Sequence, residues 1–241
     1  MKLIRVSNYD AMTQCLLDIF VKQIKSKPDS VLSFTTGATP KGLLESLAKE
    51  VNKGLDISKS TFCNLDEYVG KKSGIYSVYS FMHRHFYDVV KQHPKNIFML
   101  DAEAKDKIAE IKKYAQILAQ YPRDIQLLGL GTNGHVGANE PGTSFNSTLF
   151  VADSHESTIK ATQNLFNLKY EETPRQMFTM GFKEIMVAEC VILAASGKSK
   201  AEAVKKVVEG GVTKDVPASY LKTHKNFVLI IDEDSASLLS K

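Results

Sequence analysis

The chain's 241 residues allow roughly one or two domains, and a composition of 43% apolar and 24% charged residues is that of an ordinary globule. Thirty-one basic against 27 acidic residues leave a net charge of +4, mixed along the chain. That is a slight lean toward an anionic partner, and no Lys/Arg run is long enough to track a nucleic-acid backbone, so nucleic acid is excluded as a partner. Cys15, Cys63 and Cys190 are odd in number, far apart and without a CxxC pair, which argues against a disulfide framework or a structural zinc site. The opening MKLIRVSNYD is too short in its apolar part for a signal peptide. No apolar run approaches the ~18 residues of a membrane span, so a cytoplasmic protein with no membrane partner is expected.

No repeat and no Gly/Ser/Pro-rich linker divides the chain, which predicts one domain over residues 1–241. Residues 3–6 read as a strand. From Tyr9 to Lys25, Met12, Leu16, Ile19, Phe20 and Ile24 recur at helical spacing. A strand at 30–34 precedes a helix at 40–51, with Thr39 as N-cap and Pro40 at the first helical position. Strand 61–65, helix 77–90, strand 96–100 and helix 106–120 follow. Residues 125–130 are apolar on every side, as in a strand buried on both faces. A strand at 190–195, a helix at 200–208 and a strand at 227–231 close the series. This alternation predicts an α/β fold: a Rossmann-like, doubly wound, mostly parallel sheet with helices on both faces. Ligands of such folds sit beyond the carboxyl ends of strands, so the loops there are where chemistry is expected.

Four loops qualify. Thr35-Thr36-Gly37-Ala38-Thr39-Pro40 lies between a strand and a helix, and its hydroxyls and N–H groups suit either a phosphate or an ordinary capped turn. It lacks the GxxxxGK[ST] pattern. Asn64-Leu65-Asp66-Glu67-Tyr68 ends a strand in two adjacent acids, open to a general base, a metal ligand or a solvated turn. The third loop runs from Gly129 through Gly131, Asn133, Gly134, His135 and Glu140 to Gly142. Gly129, Gly131 and Gly134 satisfy GxGxxG, and Asp153 lies at the distance of a ribose-binding acid. Yet Gly137, Pro141 and Gly142 forbid the helix that a dinucleotide site requires there. What remains is a glycine-rich loop carrying a proton-transfer histidine and a nearby carboxylate. The fourth, Ser196-Gly197-Lys198-Ser199-Lys200, places lysines at a helix start, where the dipole disfavours them unless an anion is bound.

Together these loops resemble the glucosamine/galactosamine-6-phosphate isomerase (deaminase) family, whose fold is shared by the 6-phosphogluconolactonases. The resemblance is carried by SFTTGATPKGLLESL from Ser33, TFCNLDEYVG from Thr61, YSFMHRHFYD from Tyr79, LGLGTNGHVGANEPGTSF from Leu128, ASGKSKAEAV from Ala195 and VPASYLKTHKNFVLIIDEDSA from Val216. It implies ring opening of an aminosugar 6-phosphate, aldose-to-ketose isomerisation and release of ammonia. It implies Asp66 as the base for the C2 proton, with Glu67 orienting or assisting it. It implies His135 as the ring-opening catalyst, with Glu140 and Asn133 holding its imidazole; some members carry aspartate at the position of Asn133. Thr36, Gly37, Ala38, Thr39 and Lys200 are implied as the phosphate site. No metal and no organic cofactor is implied, the partner is a small phosphosugar, and the family admits monomers through homo-oligomers.

Three departures accompany the resemblance. Asn164 stands where many glucosamine-type members carry an arginine on the phosphate; galactosamine-type members also lack that arginine, so the resemblance extends to the galactosamine-6-phosphate branch and leaves the C4 epimer open. Ala138 replaces a larger apolar residue. Phe150 and Ala152 replace an arginine and a lysine that hold an allosteric N-acetyl sugar phosphate in some members, which implies that this activation is absent. The alternatives are a lactonase, which would carry a DER-type motif and no NEP, and a sugar-phosphate sensor, against which Asp66, His135 and Glu140 argue. A dehydrogenase would rest on the GxGxxG glycines alone.

Overall fold

A computed structural model of the chain describes residues 1–154 and 156–240. Seven parallel strands form the central sheet: β1 (Lys2–Val6), β2 (Val31–Phe34), β3 (Thr61–Asn64), β5 (Asn96–Phe98), β6 (Ile125–Gly129), β9 (Cys190–Ala195) and β10 (Phe227–Asp232). Their order is β1-β10-β9-β6-β2-β3-β5. The apolar runs in the middle of this sheet exist because both faces are buried. In β9, Val191 and Leu193 enter one core while Ile192 and Ala194 enter the other; in β10, Phe227 and Leu229 alternate with Val228 and Ile230 in the same way.

Helices α1 (Tyr9–Ser26) and α2 (Ala38–Asn52) pack on one face through Met12, Leu16, Phe20, Leu43 and Leu47. Helices α4 (Lys107–Gln120) and α7 (Ala201–Glu209) cover the other through Tyr114, Leu118, Val204 and Val207. Apart from β1 at the edge beyond β10, strand order runs outward in both directions from the β2–β6 junction, the switch point at which a cleft opens between the loops that follow those two strands. The doubly wound α/β architecture expected from the alternation is therefore present.

A second sheet is the main departure. Strands β4 (Asp66–Tyr68), β7 (Phe150–Asp153) and β8 (Gln176–Thr179) form a small antiparallel sheet in the order β4-β8-β7. The strand expected at 61–65 ends at Asn64, and a second strand that was not expected follows it: the chain leaves the parallel sheet at Asn64 and joins the small one at Asp66. Leu65 makes the step, its N–H bonding to Phe34 O at 2.8 Å and its carbonyl accepting from Met180 N at 2.9 Å. Between β7 and β8 lies α5 (Glu156–Phe166).

Two helix starts and one helix interior also differ. Helix α2 begins at Ala38 with Gly37 as N-cap at φ 111°, so Thr39 is inside the first turn and is not the cap. The glycine is required because this backbone angle is closed to most side chains. The helix expected at 77–90 is a short α-helix, α3 (Val78–Met82), that widens into a π-helical turn over His83–Tyr87. Helix α7 begins at Ala201, which makes Lys200 its N-cap. Cys15, Cys63 and Cys190 are free thiols. Among the described residues no helix is long and apolar enough to cross a membrane, and no group of three or more His, Cys, Asp or Glu is placed to hold a metal ion.

Candidate active site

One cavity of about 510 Å³ opens at the switch point and collects all four loops. Of the expected site residues, Thr36, Gly37, Ala38, Thr39, Asp66, His135, Glu140 and Lys200 line it. Glu67 and Asn133 do not; they stand behind the lining and act on it through their neighbours.

Asp66 opens β4, paired with Thr179 of β8 across the small sheet. It is 5% exposed, and its Oδ1 is buried without a hydrogen-bond partner. A buried acceptor left empty costs stability, so its persistence at a cavity wall marks it as reserved for a ligand. Burial, and then the charge of Glu67, push its pKa up to about 7.

Glu67 is the opposite case, because its side chain points the other way along the strand. Its Oε1 accepts from the N–H groups of Tyr68 and Val78, and its Oε2 from Tyr79, all at 2.8 Å. Glu67 thus closes the first turn of α3, where N–H groups have no helical partner. Burial raises its pKa to about 7 against the pull of those donors. Three N–H groups favour the charge on Glu67, so within this adjacent pair the proton sits on Asp66.

The 129–142 loop opens no helix, and of the glycines in its GxGxxG pattern Gly131 makes room for the histidine while Gly134, at φ 90°, lies against Val216. A Cβ on Gly131 would lie 2.5 Å from Nε2, Cδ2 and Cε1 of His135; only hydrogen fits beneath the ring. Gly137, at φ 57°, turns the chain against Leu65 and Thr179. Nδ1 of His135 lies 3.1 Å from Oε1 of Glu140, an ion-pair contact without the alignment of a hydrogen bond. Oε2 of the same carboxylate accepts from Nδ2 of Asn133 at 2.7 Å, and Oδ1 of Asn133 accepts from His135 N at 3.1 Å. Glu140 therefore bridges the imidazole and the amide. Asn139, fully buried, donates to Val136 O and Met180 O and locks the Asn-Glu-Pro turn to the body of the protein. A proton on Nδ1, on the side of Glu140, would leave a lone pair on Nε2 for proton transfer.

The cavity is also lined by a helix start and a lysine. The first turn of α2 has no side-chain cap, which leaves its N–H groups to a ligand. Lys200 faces it from the loop after β9, and burial lowers its pKa. That loop is fixed by Asp232, which accepts from Ser196 Oγ and Gly197 N. Burial opposes the Asp232 charge, but these bonds and those from Ser235 hold its carboxyl below the usual range.

Sequence reading missed Tyr68, Phe81, Arg84, His85, Phe166 and Met177, which complete the wall. The signal for three of them was present in SFMHRHF, where Phe81, Arg84 and His85 are three and four residues apart and share a helix face. Tyr68 bonds through its hydroxyl to Thr162 of α5, which ties that helix to the strand bearing Asp66. Asp153 also lines the cavity, at the end of β7 and hydrogen-bonded to Gln176, not in a dinucleotide setting. Asn164 is exposed and lies outside the lining.

The sequence profile of the glucosamine-6-phosphate isomerases/6-phosphogluconolactonase family matches residues 7–230. The chain belongs to this family. It is 38% identical over 241 residues to glucosamine-6-phosphate deaminase 1 of Bacillus subtilis, covering 99% of each chain. It is 41% identical over 233 residues to the glucosamine-6-phosphate deaminase of Lysinibacillus sphaericus, covering 95% of this chain and 98% of that one. A solved structure of a monomeric glucosamine-6-phosphate deaminase superposes with a TM-score of 0.94 at 37% identity, over 99% of this chain and 100% of that one. The 6-phosphogluconolactonase of Leishmania guyanensis superposes at TM-score 0.80 with 20% identity, covering 100% and 99%, a likeness of fold.

Proposed function

We propose that this family member is an aminosugar-6-phosphate deaminase/isomerase that converts glucosamine 6-phosphate and water to fructose 6-phosphate and ammonia. The observation that carries the reading is the buried, unpartnered Asp66 carboxylate sharing one cavity with the His135–Glu140 pair and an anion-binding helix start. The name shared by relatives at 38–41% identity over nearly the whole chain supports glucosamine over its C4 epimer.

The reaction needs three things from the protein. The phosphate is held by N–H groups of residues 36–39 and by Lys200, which anchors the sugar with C1 and C2 toward the buried end. His135 then moves the anomeric proton to the ring oxygen as the ring opens, and Glu140 stabilises the imidazolium that forms on the way. Asp66, ionised above its raised pKa, takes the proton from C2, and the proton returns at C1. The double bond moves to C2 as an imine, to which water adds and from which ammonia leaves. A carboxylate near neutrality is matched to this work, because it is ionised at working pH yet basic enough to accept a carbon-bound proton. Asn133 holds Glu140 but, being an amide, takes up no proton itself.

The test is ammonia release from purified protein given glucosamine 6-phosphate and, separately, galactosamine 6-phosphate. Release from the first is expected to exceed release from the second. Preference for the second reverses the C4 assignment, and silence with both, beside hydrolysis of 6-phosphogluconolactone, overturns the deaminase reading.

A further inference from the structure

The cavity holds more positive charge than the phosphate loop and Lys200 account for. Phe81, Arg84 and His85 line it from α3 and the π-helical turn, and Lys41 lines it from the first turns of α2. The two elements meet at Glu45, whose Oε1 lies 3.0 Å from His85 Nδ1 and 3.7 Å from Lys41 Nζ. Glu45 is thereby engaged from both sides. Arg84 has no carboxylate partner among the described residues, and it stays exposed at the cavity wall. His85 is further held by its ring contact with Phe81, centroids 4.4 Å apart. The π turn thus presents a fixed imidazole with a free guanidinium beside it, on the wall shared with the helix start that receives the phosphate.

A phosphate monoester near neutral pH carries about two negative charges. Lys200 supplies one cation, and its ammonium is a point charge. A guanidinium presents a planar fork that matches two phosphate oxygens. We propose that Arg84 is the second cationic contact for the substrate phosphate, placed at the cavity wall by the π-helical turn. The inference rests on the deaminase reading for the substrate and on geometry alone for the anion.

The test pairs two readouts on wild type, Arg84→Gln and Arg84→Lys. The first is calorimetric titration with inorganic phosphate, and the second is steady-state deamination. Arg84→Gln is expected to weaken phosphate binding about tenfold and raise KM by a similar factor, with kcat changed by less than about twofold. Arg84→Lys recovers part of the loss. Because Arg84 is exposed, added salt weakens phosphate binding more steeply in wild type than in Arg84→Gln. Equal phosphate affinity in wild type and Arg84→Gln overturns the inference, as does a loss confined to kcat. Arg84-dependent phosphate binding by a protein that releases no ammonia would leave this inference standing and remove the deaminase reading. Ammonia release with Arg84-independent phosphate binding would do the reverse.

Discussion

The two walls that meet at the buried end of the cavity tune their acids by opposite means. On one wall, Asp66 sits in a sheet with an empty acceptor, and its pKa is raised by burial and by Glu67. On the other, His135 and Glu140 sit half-buried on a loop, and partners set their roles: Asn133 on Glu140, Glu140 on the imidazole. A base that must take a proton from carbon needs a carboxylate made more basic, and removal from water does that. A group that relays a proton between two oxygens needs a favoured tautomer and a stabilised cation, and a carboxylate beside the ring supplies both.

The largest effect is expected where burial does the tuning. Asp66→Asn keeps the shape of the side chain and removes the base, so incorporation of solvent deuterium at C1 of the product should fall about a thousandfold or more, with KM little changed. Near-normal incorporation would mean that Asp66 is not the base and that the contrast between the walls is empty. In wild type, kcat/KM should rise with pH through about 7 as Asp66 ionises, and this limb should be missing from the residual activity of Asp66→Asn.

A smaller effect is expected at the loop wall. Gly131→Ala adds one methyl 2.5 Å from Nε2 of His135, so the ring must leave its place beside Glu140. Ring opening should slow about a hundredfold. Supplying substrate with a larger open-chain fraction should restore more of the rate in Gly131→Ala than in Asp66→Asn. Equal rescue in both would show that the two walls do not divide the labour as described.

Much of this arrangement was legible in the chain itself. Strands buried on both faces declare themselves as apolar runs, and glycines with His and Asn-Glu-Pro after such a run declare a loop shaped around a side chain. The small antiparallel sheet was not legible. Its strands are three or four residues long, and β7 and β8 lack the long apolar run that marks the central sheet. Leu65, which steps between the sheets, reads as one more apolar residue of β3. The same step hid the difference between Asp66 and Glu67. Two adjacent acids look alike in sequence, and only strand alternation, with one side chain to the cavity and the next to the start of α3, separates a base from a cap. Arg84 was overlooked for a related reason: on an amphipathic helix an exposed arginine is ordinary until a cavity is found beside it.

The smallest effect sharpens that last distinction, and it concerns stability. Asp66 has a folded pKa near 7 against an ordinary value of 3.8, so the folded state holds its proton more tightly than the unfolded state does. Below about pH 4 the group is protonated in both states and its burial carries no charge penalty. As pH rises toward 7 the unfolded chain ionises freely while the folded chain does not, and stability is lost at up to about 1.4 kcal/mol per pH unit. Asp66→Asn does not titrate there, so its Tm relative to wild type should climb between pH 5 and pH 7 and then level off. Glu67→Gln should behave differently. The amide replaces one carboxylate oxygen with a donor facing N–H groups, which costs about 1–3 kcal/mol and lowers Tm by about 2–4 °C per kcal/mol for a chain of this size. Burial holds the Glu67 carboxyl near 7 as well, so this deficit should shrink as pH rises toward 7. Two neighbouring carboxylates whose substitutions shift Tm in opposite directions at pH 8 would identify one as held for chemistry and the other as held for structure. A Tm rise from both substitutions at pH 8 would mean that Glu67, like Asp66, is not held for structure.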